Sequence, residues 1–268
     1  MVNLARFYKN RFRDRCFVFD KSVRASDCCA VNNVDHFCTA KRGEVCVKQF
    51  AGERDFDVLF AIDGSSSQMF GSALSKIDFA LKLAEKLGDI ARKVGDRVGL
   101  LLFSEDIELY EPPCPHPCVP NLSNRHLGQK SNPCAAVKFL QNMLRTSSIV
   151  FFVSDFLYPD RIREHLLEAL KTLSKRHDLI CVQLADRIDV AIPPIGRLRL
   201  QDAESLDCVL CNSNDRYFSN IHNNIDIKWA SKLHKDAERA GLKFITIRNG
   251  CNVEAAIKKC LNKRLAYA

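Results

Sequence analysis

Short, mostly apolar runs alternate along this chain with longer stretches in which apolar residues recur every three or four positions. Val58–Ile62, Arg97–Phe103, Ile149–Val153, Leu179–Leu184 and Lys243–Ile247 are the short runs. Such runs mark strands buried on both faces. The stretch Leu74–Val94 carries Ile77, Leu81, Ala84, Leu87, Ala91 and Val94 as one stripe, with Gly95 as a terminator, and predicts a helix. Pro133–Leu144 repeats the pattern with Ala136, Val137, Leu140 and Leu144, and the stretch opened by Pro159 does so with Ile162, Leu166, Leu170 and Leu173. A long helix is expected over Asn220–Ala240, presenting Ile221, Ile225, Trp229 and Leu233 and ending at Gly241, and a last one over Val253–Leu261. Strand and helix in alternation predict an α/β fold: a doubly wound, mostly parallel sheet with helices on both faces.

Three segments fall outside that alternation. Ile107–Tyr110 reads as a short antiparallel edge strand, Glu111–Lys130 as a loop rich in Pro, Asn and Cys, and Asp186–Asp202 as a structured connection. Met1–Arg54 has only short mixed apolar stretches. It predicts an irregular, partly β N-terminal extension (1–54) packing on the main domain (55–268).

Composition adds limits. With 268 residues, 47% of them hydrophobic and 27% charged, the chain can bury a core without covalent staples. The 13 cysteines are an odd number, and the Arg-rich start lacks the apolar stretch of a secretion signal. Reduced thiols in a cytoplasmic protein are therefore expected. No apolar run approaches the ~20 residues of a membrane helix. The net charge of +8 is concentrated early, in Arg6, Lys9, Arg11, Arg13, Arg15, Lys21 and Arg24. A solvated basic face explains it better than nucleic-acid binding, because no recognition motif accompanies it.

The chemistry gathers where two strands end. Asp63-Gly64-Ser65-Ser66-Ser67 follows the first main-domain strand, and Ser154-Asp155 closes the fourth. In doubly wound sheets, ligands collect beyond the carboxyl ends of the strands. Alternate spacing lets the oxygens of Asp63, Ser65 and Ser67 curl around one point, and Asp155 brings a second carboxylate. Two carboxylates plus neutral hydroxyls suit Mg²⁺, or Mn²⁺ or Ca²⁺. A cation so sparsely neutralised can accept a carboxylate from another protein. The plainer alternative is that Asp63 and the serines cap the following helix.

Other chemistry is poorly supported. Cys114-Pro-His-Pro-Cys118 and Cys208-Val-Leu-Cys211 have zinc-like spacing, but each is imperfect or lone, so zinc is not expected. His116 and His126 read as solvated loop residues. No Gly-x-Ser-x-Gly elbow is present, so no enzyme activity is expected. A phosphotransferase with Asp63 as nucleophile would want a second acid beside it, where this chain has serines. There is no Walker motif.

These motifs resemble a known family. Asp-x-Ser-x-Ser with a strand-ending Asp is similar to the metal-ion-dependent adhesion site (MIDAS) of von Willebrand factor A domains. More specifically, the chain resembles the bacterial "domain of unknown function 58" branch. The supporting stretches are Phe70-Gly71-Ser72, Gly95-Asp96-Arg97-Val98-Gly99-Leu100, Ser154-Asp155-Phe156, Arg176-His177-Asp178 and Asp186, with Val34-Asp35-His36-Phe37 and Ala40-Lys41-Arg42-Gly43 upstream. The resemblance runs from about Arg24 to Asp202. It implies a von Willebrand A fold, with Asp63, Ser65, Ser67, Ser131 and Asp155 as metal ligands. Ser131 stands where the family has threonine and Gln68 where it usually has methionine, and Lys130 would oppose the cation. The resemblance also implies a protein-binding adaptor that works with a MoxR-type AAA+ ATPase or its client. The competing reading is the same fold with a degenerate metal site, binding partners or nucleic acid through its basic surface.

Overall fold

The computed structural model describes residues 8, 18–24, 34, 36–51, 56–72, 74–115, 128, 130–186, 189, 195–201, 207–215 and 231–262. The chain divides into two units, Met1–Asp55 and Phe56–Ala268. In the first, strand β1 (Val18–Arg24) pairs antiparallel with β2 (Cys46–Ala51), and a short helix α1 (His36–Arg42) lies between them in sequence.

In the second unit, β3 (Asp57–Asp63), helix α2 (Lys76–Lys93), β4 (Arg97–Phe103) and β5 (Ile107–Cys114) come first. They are followed by α3 (Pro133–Met143), β6 (Ser148–Ser154), α4 (Asp160–Ser174) and β7 (Asp178–Ala185). Next come a hairpin of β8 (Arg197–Gln201) and β9 (Cys208–Asn212), helical residues 231–239 (α5), β10 (Lys243–Arg248) and α6 (Val253–Asn262). Six strands form one sheet in the order β10-β7-β6-β3-β4-β5. Every pairing is parallel except that of β4 with the edge strand β5. The chain winds outward from β3 in one direction and from β6 in the other. The order reverses between these two neighbours, and in doubly wound sheets ligands collect at such a point, beyond the carboxyl ends of the strands.

The core explains why the strands read as unbroken apolar runs. Leu59, Ala61, Leu101, Phe103, Val150 and Phe152 face one way and pack with Ala136, Val137 and Leu140 of α3, Leu166 and Leu170 of α4, and Leu233 and Ala237 of α5. Phe60 and Val98 belong to the other face, where Gly88 of α2 lies close to both. Phe60 and Phe151 stack across the neighbouring strands β3 and β6 at 5.1 Å, and Phe103 of β4 reaches Phe152 of β6 over the intervening β3 at 5.3 Å.

Local signals set the helix ends. Ser75 Oγ accepts the Asp78 N–H at 3.1 Å and caps α2. Asn132 Oδ1 accepts the Ala135 N–H at 3.2 Å and caps α3, with Pro133 in its first turn. Gly95 and Gly241, with φ of 96° and 71°, follow α2 and α5, as the pattern predicted.

Three expectations about elements need correction. Leu81 and Val94 of the predicted α2 stripe are only half-buried, while Phe79, Ala80, Leu83 and Ile90 are buried. The buried arc is broad, and Leu81 falls at its margin. In α4, Leu166, Leu170 and Leu173 are buried as expected, but Ile162 is exposed and Arg163 is buried in its place, with Leu167 added to the stripe. Glu111–Cys114, expected in a loop, prolongs β5; an edge strand tolerates its two prolines because one side of its ladder has no partner. The connection 186–202 contains β8. Cys208 and Cys211 sit three apart on β9, so they face opposite sides of the hairpin. Trp229, His116, Cys118, His126 and the first half of the expected Asn220–Ala240 helix lie outside the described residues. Among the described residues, no helix is long and apolar enough to cross a membrane.

Candidate metal centre

β3 ends in Asp63, which is buried together with Ser65. Gly64 N–H donates to the Phe103 carbonyl at 2.7 Å, carrying the pairing with β4 one residue beyond Asp63. Ser65 N–H then donates to Asp63 Oδ1 at 3.0 Å. The hydroxyls of Ser65 and Ser67 lie 3.2 Å apart, and Gln68 Nε2 donates to Ser67 Oγ at 3.3 Å. A single 3-10 turn, Ser66–Gln68, carries this loop, and Ser65 makes no side-chain cap to it. The side-chain cap of α2 is thus supplied by Ser75 and not by Asp63 or Ser65.

The other Asp63 oxygen collects hydroxyls from distant segments. Ser131 Oγ and Ser154 Oγ each donate to Asp63 Oδ2 at 3.1 Å, and Tyr158 OH donates at 2.5 Å. Ser131 is brought in by the Asn132 N–H, which donates to the Ser104 carbonyl at 2.7 Å. Tyr158 arrives through a tight turn after β6. Phe156, between Asp155 and Tyr158, has φ of 59°, a left-handed conformation rare for a bulky residue. Ser154 Oγ accepts the Phe156 N–H at 3.0 Å and Asp155 Oδ1 accepts the Leu157 N–H at 3.1 Å. The Phe156 ring is wedged against Phe244 and Phe152, at 5.0 and 5.9 Å between centroids.

Asp155 is also buried, and its second oxygen meets a lysine. Lys76, at the first position of α2 and fully buried, donates from Nζ to Asp155 Oδ2 at 3.2 Å. The same ammonium lies 3.0 and 2.9 Å from the two oxygens of Asp189, and 5.1 Å from the Phe70 ring centre. A further carboxylate, Asp186, ties the loop to the tops of β7 and β10. Its Oδ2 accepts from Ser72 N–H and Oγ at 2.9 and 3.1 Å, and from Asn249 Nδ2 at 2.8 Å.

Electrostatics follow from this burial. Burial first, and then the charge of Asp155, raise the Asp63 carboxyl above its ordinary value, against the lowering effect of its hydrogen bonds. Burial and the Asp63 charge push the Tyr158 hydroxyl well above the usual tyrosine range, so it remains a donor. Burial alone would lower Lys76, but Asp155 and Asp189 outweigh it and raise its value, so it stays an ammonium.

The structure thus brings Asp63, Ser65, Ser67 and Ser131 into one hydrogen-bonded group, with the charge of Asp155 acting on Asp63. The donor set fits a hard divalent cation. Burial, the first cause of the raised Asp63, puts its ionised form at a disadvantage that a bound cation would relieve. The other donors are hydroxyl oxygens, and a hydroxyl that gives its proton to Asp63 keeps lone pairs for a cation. Softer or richer clusters are missing: among the described residues, no three His, Cys, Asp or Glu side chains are grouped to hold a metal. Lys130, next to Ser131, is exposed.

Sequence reasoning did not assign Ser154, Tyr158, Lys76 or Asp189 to the site. Tyr158 stands three positions after Asp155, on the turn that closes the strand. Lys76 carried a signal as well: a cation in the first turn of a helix, adjoining its apolar stripe, opposes the helix dipole and needs a reason.

A model of the family described as "Protein of unknown function DUF58" matches residues 29–224. Uncharacterized proteins Rv1480 of Mycobacterium tuberculosis and Mb1516 of Mycobacterium bovis are each 25% identical over 184 residues, covering 65% of this chain and 57% of theirs. The chain therefore spans little more than half the length of these relatives. Among solved structures, an aerotolerance-related membrane protein from Bacteroides fragilis aligns with a TM-score of 0.49 at 16% identity, over 79% of this chain and 99% of that one. The ArnB paralog VWA2 from Sulfolobus acidocaldarius aligns with a TM-score of 0.39 at 26% identity, over 53% of this chain and 38% of that one.

Proposed function

The chain belongs to the DUF58 family, and from that premise we propose that it is a metal-dependent protein-binding adaptor. Asp63, Ser65, Ser67, Ser131 and Asp155 would hold Mg²⁺, or Mn²⁺ or Ca²⁺. The under-neutralised ion would supply a Lewis-acid point for one carboxylate of a partner protein. The partner implied by the resemblance is a MoxR-type AAA+ ATPase or its client. One observation carries the reading. Residues 68 positions apart, Asp63 and Ser131, meet by a direct hydrogen bond at the carboxyl end of the sheet.

Thermal melting in chelator and in rising Mg²⁺ tests the metal. At ten times the dissociation constant, one bound ion adds about 1.4 kcal/mol of stability. The melting temperature should rise in the wild type and stay fixed in Asp63→Ala. An equal rise in both proteins would sink the proposal. Capture of a purified MoxR-type ATPase that is abolished by EDTA tests the partner.

A second reading is favoured by Lys76, whose ammonium already engages Asp155 at 3.2 Å. In it the site works without metal and partners bind through the basic surface of a chain carrying +8. That reading expects partner binding to fall steeply with salt and to ignore EDTA.

A further inference from the structure

Lys76 sits where two penalties meet. It is fully buried, and it occupies the positive end of α2, where a cation is disfavoured. Only close carboxylates make such a position tenable, and it has two. Asp189 holds Nζ with both oxygens, at 3.0 and 2.9 Å. Asp155 holds it with Oδ2 at 3.2 Å while its Oδ1 accepts the Leu157 N–H. Both oxygens of Asp155 are therefore engaged, and one of the five proposed metal ligands is paired with an internal cation. Asp189 is itself anchored: its Oδ2 accepts the Asp186 N–H at 2.9 Å.

We infer that Lys76 is a tethered counter-cation that competes with the divalent ion for Asp155 and so sets the threshold of metal binding. The shared ammonium has a place to go. When an ion recruits Asp155, Asp189 keeps Lys76 by the two contacts it already makes. The ion then binds beside a fixed positive charge, which weakens it. At an effective dielectric of about 20, a unit charge a few ångströms from a divalent ion lowers affinity by tenfold or more. The same charge keeps the Asp155–Asp189 pair compensated in the absence of metal, so the loop order does not depend on the ion. This inference rests on the divalent-cation reading of the site and adds its regulation.

Isothermal titration of the full chain with MgCl₂ and with MnCl₂ tests it, using wild type, Lys76→Met and Lys76→Arg. Lys76→Met should bind at least tenfold more tightly than wild type and melt lower in chelator, with Mg²⁺ restoring the loss. Lys76→Arg, which keeps the charge, should stay within about threefold of wild type. An unchanged or weaker Mg²⁺ affinity in folded Lys76→Met overturns the inference and leaves the adaptor proposal standing. Binding by Lys76→Met alone, with none in wild type, upholds the inference and removes the metal from the adaptor proposal. If Lys76→Met does not fold, Asp189→Asn decides. Deprived of its second carboxylate, Lys76 is committed to Asp155, so Mg²⁺ should bind about tenfold more weakly; an affinity equal to wild type overturns the inference.

Discussion

Asp63 concentrates the conflict between folding and function into one side chain. Its carboxyl is raised above 3.8 by burial and by Asp155, so the ionised form is penalised in the folded state. The sign follows by linkage. The contribution of Asp63 is fully present when pH lies below the unfolded value, and it is lost as pH rises through the higher folded value. Asp63→Asn has no charge to bury and should remove that loss, at a pH-independent cost for the acceptor its amide nitrogen replaces. In chelator the variant is expected to overtake wild type in urea-unfolding midpoint as pH increases from about 4 towards neutrality. Saturating Mg²⁺ should close the gap by raising wild type alone. Parallel pH profiles for the two proteins would show that the carboxylate is compensated without a cation.

At the scale of elements, the turn from β6 into α4 does the positioning. A single residue in left-handed conformation, Phe156 at φ 59°, reverses the chain so that Asp155 and Tyr158 both return to the site. Such a conformation costs a bulky residue about 1–3 kcal/mol, and the packing of its ring on Phe244 and Phe152 offsets it. Phe156→Ala loses the ring, at about 3–5 kcal/mol, and keeps the unfavourable backbone. Phe156→Gly loses the ring and relieves the backbone, so it should be the milder variant by about 1 kcal/mol. Equilibrium unfolding of the pair measures this, and Ala proving milder than Gly would mean that the turn is not strained. Such a turn is invisible in a hydrophobic pattern, because Phe156 looks like one more apolar residue after an apolar strand. The elements themselves were legible: β3, β4, β6 and β7 are buried throughout the sheet's centre and read as unbroken runs. Helix phases were less so. Arg163 in place of Ile162 shows why, since a long charged side chain can be fully buried where pattern reasoning counts only apolar ones.

At the scale of the molecule, burial divides the thiols into reactive and inert sets. Burial pushes Cys260 up to about 12 and moves Cys181 higher still, and both are enclosed in the core, whereas Cys208 on β9 is exposed. A thiol reagent at neutral pH should label Cys208 promptly and reach Cys181 and Cys260 only at the rate of unfolding. Prompt native-state labelling of Cys181 would contradict the packing of β7. The site shows what one sequence can and cannot disclose at this scale. Asp63, Ser65, Ser67 and Asp155 stood out because they end apolar runs. Lys76 and Asp189, 113 positions apart, are joined only by the winding of the chain through the sheet.

The two prolines of β5 have an effect beyond their own strand. Pro112 and Pro113 fall at the outer margin of the six-stranded sheet, and neither has an amide hydrogen to offer. Pro113 turns its nitrogen towards Gly99 of β4, so at most one donor, that of Pro112, is missing where a further ladder would have to continue. Pairing of a further strand along this border is thereby disfavoured.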